Sequence, residues 1–70
     1  MEMSPMALRI RDHWRDNFPE RAREIEAAGE LEECAARAAE RAAGVMEQCL
    51  RKGMNWSQAH ELATEEWREP

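Results

Sequence analysis

A chain of 70 residues with a net charge of -5 has room for one domain around a small core and excludes a second domain. Its charge disfavours nonspecific attraction to nucleic acid or anionic lipid, and no apolar run approaches the roughly 20 residues that a membrane helix needs. Hydrophobic residues reach 43%, but much of that share is alanine, and one Phe, no Tyr and three Trp leave the core thin.

The first predicted helix opens at Ser4-Pro5, with Ser as N-cap and Pro at the first helical position, where its missing donor costs nothing. Ala7, Ile10 and Trp14 follow at helical spacing with Met6 and Leu8 beside them, and Arg9, Asp12, Arg15 and Asp16 occupy the other face. The stretch DNFPE ends this run, because Pro19 disfavours helical geometry at Phe18 and cannot donate to the preceding turn. A second, short helix restarts at about Pro19 with Ala22 and Ile25 as its stripe. Gly29 then caps it in the left-handed conformation.

The third helix runs from Leu31 to Lys52, about 33 Å at 1.5 Å per residue, and Gly53 caps it after Arg51 and Lys52. Leu31, Ala35, Ala38, Ala42, Val45 and Cys49 recur in alternating steps of four and three, a small-sided heptad seam. A second line, Ala39, Ala43, Met46 and Leu50, lies alongside, so two faces of this helix can be approached. Two readings of the first seam follow: packing by the chain's own short helices, or a homodimer along the same residues. The fourth helix begins at Asn55, whose spacing to Gln58 is a capping box, with Met54 and Ala59 placed as a staple. Its stripe is Trp56, Ala59, Ala63 and Trp67, flanked by Leu62. The expected architecture is all-α: a small four-helix bundle, residues 1–70 as one domain, with three short helices around one long Ala-rich helix.

Groups with chemical potential are few. His13, His60, Cys34 and Cys49 show no metal-ligand spacing, and there is no glycine-rich phosphate loop and no serine elbow. Neither catalysis nor a cofactor nor a metal is expected. Cys34 and Cys49 lie on one helix about 22 Å apart, too far to bridge, and reduced thiols are the expected state. Nine of the ten basic residues are Arg, but Arg9, Arg11, Arg15, Arg21 and Arg23 are interleaved with Asp12, Asp16, Glu20, Glu24 and Glu26, which disfavours a nucleic-acid stripe. Glu61, Glu65, Glu66 and Glu69 stand against Arg68 alone near the end of the chain, the pattern of an acidic patch for a basic partner surface.

The segment from Ile10 to Met54, IRDHWRDNFPERAREIEAAGELEECAARAAERAAGVMEQCLRKGM, resembles a layout found in transposon-encoded TnpV-type proteins and in small uncharacterised helical proteins of phages and prophages. In that layout a helix ends in a His-aromatic-basic turn before Pro, and a short helix, a Gly-x-Leu step and an Ala/Glu-rich long helix follow. Here these are His13-Trp14, Pro19, Gly29-Glu30-Leu31 and the helix to Lys52, and Gly53 to Glu61 is similar to the continuation of the phage-type relatives. The resemblance implies a mobile-element origin and carries no catalytic residues.

The expected function is a non-catalytic protein-binding module of a phage or mobile element, an inhibitor of a host defence system of the anti-CRISPR kind, in the cytoplasm of a bacterial host. Its partner would be a host protein with a basic surface. Trp14, Trp56 and Trp67 are the candidate apolar anchors, and Glu61, Glu65, Glu66 and Glu69 the electrostatic ones. The alternative is a small dimeric DNA-binding regulator in which Arg9, Arg11 and Arg15 touch phosphates.

Overall fold

The computed structural model describes residues 3–70 and folds them into four helices: α1 (Pro5–Asn17), α2 (Pro19–Ala27), α3 (Leu31–Arg51) and α4 (Trp56–Thr64). There is no strand among the described residues. α3 is the axle of a small helical bundle, packing on each of the other three, and α1 also packs on α2. α1 and α4 form no helix-to-helix contact, so the bundle is open between them.

Local chemistry sets each boundary. The Ser4 hydroxyl accepts from the Ala7 amide at 3.1 Å, and Pro5 follows at the first helical position of α1. Phe18, at φ -134° and ψ 60°, is at once the C-cap of α1 and the N-cap of α2: its N–H donates to Trp14 O and its carbonyl accepts from Ala22. That residue has left the helical region, which a following proline disfavours, and it turns the chain with no separate loop. Gly29 (φ +74°) and Gly53 (φ +91°) close α2 and α3 with the same six-to-one bond, Glu30 N–H to Ile25 O and Met54 N–H to Cys49 O, both at 3.1 Å. The Asn55–Gln58 capping box is formed in both directions.

The sequence spacing places Trp67 on the fourth helical stripe, and here the structure departs from it. After Thr64 the amides of Glu65, Glu66 and Trp67 donate three residues back, to Leu62, Ala63 and Thr64, so the chain tightens into narrower turns before Trp67. The Trp14 indole N–H donates to the Trp67 carbonyl at 2.7 Å and draws this end of the chain over α1.

Among the described residues, eight of the twelve buried apolar ones are alanine; the others are Ile10, Trp14, Leu31 and Cys49. Small side chains let helices approach closely but bury little area per residue. The exposed surface, 5225 Å², exceeds the about 4,500 Å² expected of a compact chain of this mass. The Cα trace spans 41 × 25 × 15 Å, so its shortest dimension is that of about two packed helices.

Candidate functional site

The heptad seam of α3 is occupied by the chain's own helices. Leu31, Ala35, Ala38, Ala42 and Cys49 are buried and Val45 is half-buried; Ala35 and Ala38 have no exposed surface at all, so a second copy cannot reach them. Of the two readings of this seam, packing by the chain's own short helices is the one that these burials fit, since α1, α2 and α4 all pack on α3. Cys34 and Cys49 are free thiols, Cys34 half-buried and Cys49 buried.

The neighbouring line on α3 has a different fate. Ala36 and Met46, half-buried, and Ala43, exposed, floor with Ala39 a groove of about 470 Å³ between the N-terminal part of α1 and the inner side of α4, and the exposed Leu50 lies outside it. Ser4, Met6 and Arg9 form one wall. Trp56, His60, Ala63 and Trp67 form the other. The apolar lining follows from period: the floor residues Ala36, Ala39, Ala43 and Met46 recur in steps of three and four, as Trp56, His60 and Ala63 do on α4.

The three tryptophans separate into different environments. Trp14 is buried and committed to the core through its bond to Trp67 O, so it is not available as a contact anchor. Trp67 is half-buried against the core cluster, and its indole N–H is buried with no hydrogen-bond partner, the one such side-chain atom among the described residues. Trp56 is 62% exposed and lies flat on His60 four residues on, with ring centroids 5.0 Å apart and planes 19° from parallel. This stack presents a preset aromatic face at the groove's edge.

His13 is tied into the structure. The Asn17 side-chain amide donates to the His13 carbonyl at 2.9 Å and to its Nδ1 at 3.1 Å, so Nδ1 is the acceptor and Nε2–H is the donor to Arg68 O at 3.2 Å. The ring also meets Trp67 edge to face at 5.1 Å. Together with Trp14, His13 holds two successive carbonyls of the C-terminal segment. Sequence spacing gave no hint of this, since the partners are more than fifty positions apart.

The glutamates are not one free cluster. Glu65 pairs with Arg68 and Glu66 with Arg41 across to α3, while Glu61 and Glu69 have no ion pair among the described residues. On α1, Arg11 pairs with Asp12 and Arg15 with Glu26, leaving Arg9 as the unpaired member of the three basic side chains singled out for phosphate contact. No cluster of three or more His, Cys, Asp or Glu suited to a metal occurs among the described residues, and none of their helices is long and apolar enough to cross a membrane. Set against known proteins, the chain matches no family model, no curated protein and no solved structure.

Proposed function

We propose that the protein is a non-catalytic protein-binding module that works stoichiometrically through the groove between α1 and α4. The observation that carries this reading is an inverted distribution of bulk. The chain buries Ile10, Trp14 and Leu31 and leaves Leu8, Leu50, Trp56 and Leu62 between 37% and 62% exposed. Scattered exposed leucines are ordinary in a monomer, but Trp56 lines an apolar groove, which is how protein contact surfaces are built. Ala36, Ala39 and Ala43 on its floor admit the close approach of another helix.

The resemblance to TnpV-type and phage proteins extends this to a mobile-element protein that inhibits a host defence system, in the anti-CRISPR manner, within the bacterial cytoplasm. That extension rests on the resemblance and on the net charge of -5, which favours a partner with a basic surface. The DNA-binding alternative is weakened by the ion pairs that neutralise Arg11 and Arg15.

The test compares immobilised wild-type protein with a Trp56→Ala variant, whose fold should be intact because the ring is mostly exposed. A bacterial protein retained in near-equimolar amount by the wild type and lost with the variant is the expected result. Identical retained sets would overturn the groove as the contact surface. A duplex-DNA mobility shift that fades steeply with salt would favour the regulator instead.

A further inference from the structure

We propose that residues 65–70 are an autoinhibitory strap: docked, they close one end of the groove, and they leave α1 as a unit while the four helices stay folded. This rests on reading the groove as a protein-binding surface and names the regulation of that surface. The first observation is position. α1 and α4 form no helix-to-helix contact, and Trp67, three residues beyond α4, lines the groove and packs on the core cluster, with its ring edge to face on His13 of α1. The gap between the two helices is therefore closed at this end by the segment after α4 and not by either helix.

The second is how the segment is held. Its polar ties to other elements, among the described residues, are the Trp14 and His13 ring N–H groups, which donate to the Trp67 and Arg68 carbonyls at 2.7 and 3.2 Å, and an exposed ion pair of Glu66 with Arg41 at 3.7 Å. The two ring donors are consecutive residues of α1 and take consecutive carbonyls, so they are released together. The third is fit. The Trp67 indole N–H is buried with no partner, a standing cost that hydration removes on undocking, whereas the Trp14 N–H is satisfied. The fourth is local: the Glu65, Glu66 and Trp67 amides donate three residues back, a narrower turn of poorer hydrogen-bond geometry. Such a segment belongs to the low-stability end of a protein. Undocking lengthens the groove along α1 and frees the Trp14 and His13 donors for the backbone of an incoming chain. A partner that reaches this end competes with the strap, and its apparent affinity falls in proportion to the undocked fraction.

The experiment is native-state hydrogen exchange of the full-length chain by nuclear magnetic resonance. The buried Trp14 indole N–H, bonded to the strap, reports undocking, and the α3 amides of Ala38 and Ala39 report opening of the whole bundle. The indole should show less protection, and a shallower dependence on denaturant, than those amides. Gly53→Ala acts at the end of α3, so it should speed the α3 amides about fivefold and leave the indole unchanged. His13→Leu takes away one of the two ring donors and should speed the indole about tenfold. Equal protection and slope for indole and α3 amides, or an indole that follows Gly53→Ala, overturns the strap as a separate unit.

Autoinhibition is tested with a synthetic peptide of residues 64–70, added to the full-length chain and to its Trp67→Ala variant and read from the Trp14 indole resonance. The variant should bind it at about 1 mM, the effective concentration of a short tether, and the wild type at least about tenfold more weakly, because its own strap holds the site. Equal binding to both, or to neither, overturns the autoinhibition; should Trp67→Ala not fold, the wild-type exchange result decides. Neither readout uses a groove partner, so the protein-binding reading fails separately, by the absence of Trp56-dependent capture.

Discussion

Replacing Trp14 with phenylalanine isolates the bond that fastens the C-terminal segment. The substitution keeps an aromatic ring in the core but removes the N–H that reaches the Trp67 carbonyl at 2.7 Å. Losing a part-buried hydrogen bond costs about 1–1.5 kcal/mol, and the smaller ring leaves a void worth about 1 kcal/mol more. A chain of this length has a total stability of about 3.5–10 kcal/mol, so a loss of about 2–2.5 kcal/mol is a large fraction of it. Chemical denaturation of the variant should show this loss with an unchanged slope, and thermal melting a fall of about 10–15 °C. The two contributions separate in a chain ending at Glu66, which has no Trp67 carbonyl. There Trp14→Phe should cost only the void, about 1 kcal/mol. An equal cost in both backgrounds would refute the claim that the indole N–H tethers the end of the chain.

Two glycines should respond in opposite directions to the same change. Gly44 lies in mid-α3 with helical backbone and open space where a Cβ would go, so Gly44→Ala should stabilise by about 1 kcal/mol in denaturant titration; Gly53→Ala, at φ +91°, should destabilise by about as much. Asn55→Ala removes the acceptor of the Gln58 amide, a 2.8 Å bond, and should cost about 1 kcal/mol, seen as earlier amide exchange in α4 than in α3. Converting Glu61, Glu65, Glu66 and Glu69 together to glutamine should leave the fold nearly intact, because the two ion pairs lost are exposed and weak; capture of a basic partner should fall in a pull-down, and undiminished capture would remove the acidic side chains from the contact.

What could be read from the chain in advance was whatever is local. Ser4, Pro19, Gly29, Gly53 and the Asn55–Gln58 pair act on neighbours within a turn or two, and every helix boundary but the end of α4 falls where these residues place it. The fate of the two apolar lines on α3 was not legible, because alanine is equally compatible with a buried and an exposed helix face. Ala35 and Ala43 are the same residue on the same helix, one inaccessible and the other open. Nor could spacing distinguish Trp14 from Trp56 as core or contact. What separates them is the tightened turn after Thr64, which carries the Trp67 carbonyl to Trp14, and nothing in the local sequence of either tryptophan encodes that meeting. The candidate site was half visible: Trp56 was among the anchors, while its platform His60 was seen only as a non-ligand.

The alanine-rich interior has a consequence for how this protein can change over generations. In most small proteins the damaging core substitution removes atoms, yet here only Ile10, Trp14 and Leu31 offer much to remove. At the eight buried alanines nearly every replacement adds atoms and must push helices apart. The interior therefore tolerates little drift, and divergence between lineages will accumulate on the outer faces of the helices, where new contact surfaces can be tried without disturbing the packing beneath.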